Sequence, residues 1–170
     1  PQATKELARM GFTVDEIKAS LDGFVVGAIA AGTSIEDFGA LGGKVLRGFK
    51  MEAKDSAKVA DVLVAAMNRS ALTFQDLNLA MKYIGPVAAS TGQSLETMTG
   101  IMGLLADKGI KGEQAGTSMR AMMLRLVNPT NDVTKLLDKL GITIKDKATG
   151  QMKPFDDILN QVRVSTEKYE

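Results

Sequence analysis

Residues 82–130, KYIGPVAASTGQSLETMTGIMGLLADKGIKGEQAGTSMRAMMLRLVNPT, decide the fold. They contain two helical segments, each apolar on one side, and every joint carries glycine, proline or a small polar residue. Gly85-Pro86 predicts a kink or break in the helix before it, because proline lacks the N–H group and clashes with the preceding turn. Asn128-Pro129 predicts the end of the helix that begins at Gln114. These features indicate helix joints and no reaction centre.

The same plan extends towards the N-terminus. A small polar residue, followed by acidic or amide residues and then an apolar one, predicts helix starts at Thr13, Ser34, Thr73 and Ser94, and more weakly at Asp55. Several of these starts are 21 residues apart, which leaves about 15 residues of helix and a short loop in each unit. Glycines just before three of the starts suit helix ends: Gly11, Gly32 and Gly92. The apolar stripe of the helix after Thr13 includes Phe24, Ala28 and Ile29. Because each apolar stripe is one-sided, each helix needs a partner face. The sequence therefore predicts a mainly α fold, a multi-helix bundle or array.

Val133, Leu136, Leu137 and Leu140 predict a short helix that ends at Gly141, and the pattern changes after it. Ile142 and Ile144 alternate with polar residues, residues 145–150 are polar and turn-rich, and residues 151–153 can pair back. This predicts a small β-hairpin near 142–153. Pro154 predicts the start of a last helix. Residues 162–170 have the pattern of a helix still in progress, so we expect the sequence to be a segment of a longer chain.

Composition excludes several classes of function. The net charge is +1, from 21 basic and 20 acidic residues, so the basic bias typical of nucleic-acid binding is missing and no nucleic-acid partner is predicted. There is no Cys and no His, which removes thiolate and imidazole metal ligands and both Ser-His-Asp and Cys-His catalysis. The longest apolar run, residues 24–31, is far shorter than the ~20 residues that span a bilayer. No transmembrane span is predicted.

Three patterns resemble active sites and fail on spacing. Residues 112–118, GEQAGTS, have one residue too few between their glycines for a phosphate loop and lack its Lys. Asp156 and Asp157 are adjacent on a helix, so their carboxylates point about 100° apart. Ser56 and Lys58 lack the Ser-x-x-Lys spacing. We therefore predict no catalytic, cofactor-binding or metal-binding residues, no cofactor and no enzymatic activity.

The methionines leave two interpretations open. Met98, Met102, Met119, Met122 and Met123 recur at helical spacing and are expected in the core. Because Met side chains repack easily, they could instead form an adaptable partner-binding groove. Exposure of Met102 or Met123 would favour that second interpretation.

From Asp55 onward the sequence resembles the shared core of phage tail tape measure proteins. The matching segments lie mainly within residues 55–160 and occur in the family's order: DSAKVADVL (55–63), AMKYIGPVA (80–88), LLADKGIKGEQAGTSMR (104–120), LVNPT (126–130), LGITI (140–144) and PFDDIL (154–159). We therefore divide the chain into an N-terminal helical segment, residues 1–54, packed with the rest, and a tape-measure-core-like helical domain with the hairpin, residues 55–170.

The resemblance implies a structural protein of phage or prophage tails, one that occupies the tail lumen and helps set tail length during assembly. It also implies partners: tail tube protein, tail assembly chaperones, tail-tip or baseplate proteins, and other copies of itself. The implied location is the virion tail, with the host cytoplasm during assembly. Two alternatives stay open. One is a generic helical protein-interaction module with an exposed Met-lined groove, and the other is a membrane-active segment centred on residues 24–31.

Overall fold

The structure is a computed structural model that describes residues 2–167, and in that range the chain forms α-helices joined by short loops. The helices are α1 (Gln2–Arg9), α2 (Val14–Ala31), α3 (Ile35–Gly48), α4 (Ser56–Arg69), α5 (Phe74–Thr91), α6 (Leu95–Asp107), α7 (Gly112–Val127), α8 (Asn131–Lys139) and α9 (Phe155–Thr166). A 3₁₀ turn, Ala53–Asp55, precedes α4. The predicted mainly α fold is confirmed. Helix α9 ends at Thr166, and the part of the predicted final helix at residues 168–170 lies outside the described residues.

The helix starts lie where the capping signals predict them. Thr13, Ser34, Thr73 and Ser94 each accept a hydrogen bond from a backbone N–H in the first turn of α2, α3, α5 and α6, respectively. Each such cap is worth about 1 kcal/mol. Asp55 differs, because its carboxylate accepts from the N–H of Glu52 in the 3₁₀ turn and not from α4.

The helices form two layers that alternate along the chain. Helices α1, α3, α5 and α7 pack side by side in one layer, and α2, α4, α6 and α9 form the other. Contacts between the layers join helices that follow one another in sequence. Each helix of the two layers therefore finds a partner face for its one-sided stripe.

Neighbouring helices in the layer of α1, α3, α5 and α7 run parallel and are offset by about 36 residues. An ideal Cβ on Gly43 of α3 would meet the Leu7 side chain of α1, and one on Gly116 of α7 would meet Ala80 of α5. Arg47 and Gly11 are 36 residues apart and are joined by a hydrogen bond. The repeating unit is therefore a pair of helices, as in helical repeat proteins whose units contact only their neighbours.

Two phenylalanines lock α2 to α3. An ideal Cβ on Gly42 would lie 2.3 Å from the Phe24 ring, and one on Gly27 would lie 2.4 Å from the Phe38 ring. Each ring thus occupies the space that a side chain on the facing helix would need. Both rings are fully buried, and burying one such side chain contributes about 1.5–3 kcal/mol.

Of the kink or break predicted at Gly85-Pro86, the break is wrong. Helix α5 continues through Pro86 to Thr91. Gly85 packs against Gly48 of α3, with an ideal Cβ 3.5 Å from the Gly48 Cα. Val87 and Ala88 on the far side of the proline are buried. Tertiary packing on both sides of Pro86 outweighs the hydrogen bond that proline removes.

The predicted β-hairpin near 142–153 is also wrong, because no strand forms within residues 2–167. The chain does reverse there, but pairing stops at one antiparallel bridge between Lys145 and Met152. Asp146 directs the turn, since its carboxylate accepts from the N–H groups of Ala148 and Thr149. Pro154 then lies directly before α9, so the returning segment is too short to extend the ladder.

Candidate interaction surfaces

The residues of the three sequence patterns that resemble active sites have positions and contacts that fit a structural role. A Cβ on Gly112 would lie 3.3 Å from a carboxylate oxygen of Asp76, which disfavours a phosphate at this helix start. Ser56 is buried, and its hydroxyl donates to the Ala19 carbonyl oxygen at 3.4 Å. Asp156 and Asp157 are exposed in the first turn of α9, where carboxylates favour the positive end of the helix. Across the described residues, no three Asp or Glu side chains gather in a metal-binding group.

The methionines fill the core. Met98, Met102, Met119 and Met123 are fully buried, and Met122 is half-buried against them. The exposure of Met102 or Met123 that would favour the adaptable-groove interpretation does not occur. Core filling is the correct interpretation of these residues.

The layer that contains α2, α4 and α6 has an apolar groove on its outer side. The groove lies between α4 and α6 and has a volume of about 300 Å³. Leu104 is its most prominent apolar side chain and is 69% exposed. At one end lie Arg69 and Asp107, and at the other an ion pair joins Lys58 Nζ to Glu96 Oε1 at 2.8 Å. The hydrogen bond from Lys58 lowers the pKa of the Glu96 carboxyl below its ordinary value.

The same layer exposes apolar side chains on α2. Ile29, placed in the buried stripe by the sequence pattern, is 74% exposed, and Val26 is also exposed. Between α2 and α4 lies a slightly smaller groove of about 270 Å³ that includes Val26 and Val64. No single described helix is long and apolar enough to cross a membrane. The bent pair Val14–Ala31 and Ile35–Gly48 meets the length and composition criterion only when both helices are counted together.

Residues 128–154 interrupt the regular two-layer array. Helix α9 packs against α6 and so occupies the place in the second layer where the helix directly after α7 would be expected. Helix α8 and the turn that follows it are inserted in the chain between α7 and α9. Helix α8 has the predicted apolar stripe, Val133, Leu136, Leu137 and Leu140, but none of its residues is buried. The insertion therefore presents an amphipathic helix at the surface.

Gln93 anchors the end of this insertion to the array. Its side chain lies in the joint between α5 and α6 and is buried. Gln93 Oε1 accepts from the N–H of Phe155 at 2.7 Å, and Nε2 donates to the Lys153 carbonyl oxygen at 3.1 Å. Phe155 and Ile158 are buried beside it. Pro154 offers α9 no side-chain cap, so Gln93 satisfies a helix N–H from another part of the chain.

Sequence reasoning did not find the Gln93 anchor or the exposed position of α8. A single polar residue in a loop gives no periodic signal, and an amphipathic stripe does not identify what covers it. Both features depend on contacts between distant parts of the chain.

Comparison with known proteins gives one consistent result. The family described as phage-related minor tail protein matches residues 2–170. The tape measure protein of Pneumococcus phage Dp-1 is 36% identical over 165 residues, which cover 97% of this chain and 14% of that protein. The probable tape measure protein of Escherichia phage P2 is 33% identical over 162 residues, covering 95% of this chain and 20% of that protein.

The chain therefore spans less than a quarter of the length of either relative. No solved structure matches it. The match of the family over nearly the whole chain and the two named relatives agree, and the chain belongs to the phage-related minor tail protein family.

Proposed function

We propose that this chain is a structural, non-enzymatic segment of a tape measure protein that helps set tail length within the tail tube. The observation that carries the proposal is the similarity to two tape measure proteins over at least 95% of this chain. The lack of Cys and His supports a role without thiol or imidazole chemistry. The exposed apolar surfaces on α2, α6 and α8 support contacts with other proteins.

The proposal includes the partners and location that this role requires. The partners are the tail tube protein, tail assembly chaperones, tail-tip or baseplate proteins, and further copies of the chain. The segment acts in the virion tail, and it is in the host cytoplasm during assembly. We also propose that residues 1–54 and 55–170 act as one unit of a longer protein. The packing of α2 on α4 and of α3 on α5 supports this.

The array constrains how such a segment would contribute to length. As one continuous helix, 170 residues would measure roughly 255 Å, at 1.5 Å per residue. A compact domain of this size has a radius of gyration of about 15 Å and a diameter of about 40 Å. A segment that stays folded in the tail thus adds about one sixth of the length that a continuous rod would add.

An in-frame duplication of the segment tests the role in tail length. Tails assembled with the duplicated protein are measured by electron microscopy and compared with tails assembled with the unduplicated protein. We expect tails longer by about 40 Å if the segment stays folded, and by about 255 Å if it becomes a continuous helix. Tails of unchanged length that contain the duplicated protein would overturn the proposed role.

A further inference from the structure

Helix α8 has an apolar stripe that no other described helix covers. Val133 is 39% exposed and Leu136 is 54% exposed, whereas Leu137 and Leu140 are half-buried against their own chain. The exposed part of the stripe is therefore one turn of helix, near the N-terminal end of α8. An amphipathic helix of this kind requires a partner for its apolar side.

Charges beside the stripe identify the partner. Asp132 and Lys139 are seven residues apart, so they lie on the same flank of α8 to within about 20°. Both are exposed, and neither forms an ion pair with another residue between 2 and 167. A partner that complements this flank carries the same two charges in reverse order. A second α8 that runs antiparallel meets that condition.

The apolar residues fit the same arrangement. In an antiparallel helix pair, the first and fourth positions of the heptad face each other across the contact. Val133 would then pack against the second copy's Leu136, and Leu136 against the second copy's Val133. In this register Asp132 comes beside the second copy's Lys139, and the two-fold axis repeats that pair. A parallel pair would instead place Asp132 beside the second copy's Leu137 and Lys139 beside the second copy's Ile144, with neither charge opposite its complement.

We propose that α8 is a self-association helix that pairs antiparallel with α8 of a second copy. The contact area is well below the ~800 Å² per partner of a standard stable interface, so the pair is weak for free chains. It becomes populated where copies are held close together, because their effective concentration is then high. This inference deepens the self-association in the proposed function, and its test does not depend on tail length.

Cysteine trapping tests the pairing geometry, because residues 1–170 contain no Cys. Asp132→Cys and Lys139→Cys are made separately in the intact encoded protein, with any cysteine outside this range replaced by serine. The two differently tagged variants are mixed and oxidised with diamide. We expect mixed 132–139 disulfides to exceed 139–139 disulfides. In the antiparallel pair the two 139 positions are more than about 10 Å apart along the axis, beyond disulfide reach.

Two further variants test the apolar contact. Leu136→Ser should reduce trapping. The control is Val164→Ser on α9, because Val164 is another exposed apolar residue, 40% exposed, and this change should leave trapping unchanged. If 139–139 disulfides are as abundant as mixed ones, the antiparallel geometry is wrong. If Leu136 resists thiol labelling after conversion to Cys and no trapping occurs, another segment or protein covers the stripe, and the proposal is overturned.

A charge-reversal experiment separates pairing from effects on the helix itself. Asp132→Lys alone and Lys139→Asp alone each place like charges opposite each other twice, and each should weaken self-association about fivefold, as expected for exposed ion pairs. An equimolar mixture should restore it, because one variant then carries two lysines on the flank and the other two aspartates. Sedimentation measures the self-association of each single variant and of the mixture. A mixture no tighter than the single variants would overturn the proposal.

Discussion

Replacing Gln93 by Met should release α9 from the array while the remaining helices stay folded. Methionine has a similar length and an apolar end, so it fills the space but cannot accept from the Phe155 N–H or donate to the Lys153 carbonyl oxygen. Both bonds join segments about 60 residues apart. The matched control is Gln151→Met, since Gln151 is exposed.

The expected cost follows from the hydrogen bonds that are lost. Two net hydrogen bonds are worth about 1 kcal/mol each, and a buried N–H left without an acceptor costs about 1–3 kcal/mol. The lower end of the sum is about 3 kcal/mol, and each 1.4 kcal/mol is a factor of ten in an equilibrium constant. Opening of α9 should therefore become about 100-fold more frequent.

Hydrogen exchange followed by mass spectrometry measures this opening directly. Peptides from α9 should exchange about 100-fold faster in the Gln93→Met variant, and peptides from α2 and α4 should exchange at the unchanged rate. The Gln151→Met control should match the parent throughout. Equal acceleration in α2 and α9 would refute the reasoning, because it would mean that Gln93 stabilises the whole array and does not anchor one end of it.

Four further substitutions test the packing, the caps and the electrostatics. Gly116→Ala should destabilise the chain by about 1–3 kcal/mol in urea unfolding, since an ideal Cβ would lie 2.9 Å from the backbone of α5. Gly100→Ala, with nothing within 4 Å, should instead stabilise it by about 0.4–1 kcal/mol; a stabilising Gly116→Ala would contradict the close approach of α5 and α7. Thr73→Ala should cost about 1 kcal/mol in the same assay by removing the α5 cap, and no loss would refute that role. Because Lys58 lowers the pKa of Glu96, stability from this pair should be present above the ordinary carboxyl pKa and lost as pH falls through the lowered value; Glu96→Gln should reduce this acid-side loss in pH-dependent unfolding, and an unchanged profile would contradict it.

Local chemistry made the helix boundaries predictable from sequence. Thr13 and Thr73 specify helix starts through hydrogen bonds to residues three positions away, and Gly32 and Gly92 end the preceding helices in left-handed conformations. Such signals lie within a few residues of each other, so a single sequence contains them in full.

Longer-range organisation was not predictable in the same way. The 21-residue spacing of the caps identifies single helices, but the pairing into parallel units depends on packing such as Gly116 against Ala80. The hairpin prediction failed because alternation at Ile142 and Ile144 reflects how those side chains pack and does not require a ladder. Ile29 was placed in the core because a helical stripe alone does not show where its buried sector ends.

For the candidate surfaces, the sequence predicted α8 and its stripe but not its exposure. An apolar stripe indicates only that some surface must cover it, and that surface can belong to the same chain or to another. The methionines were correctly placed in the core because they recur on the inner side of helices that have partners in both layers.

Stacking parallel helix pairs also determines how the chain responds to force. Helix α1 lies at one end of the stack and α7 with α9 at the other, so tension on the two chain ends acts along the stacking direction. Units that contact only their neighbours give way one at a time, beginning at an end. Each unit of about 36 residues would release up to ~120 Å of extended chain. We expect a series of such steps in single-molecule pulling, and one cooperative rupture would contradict it. The array would then act as a mechanical reserve that lengthens in increments.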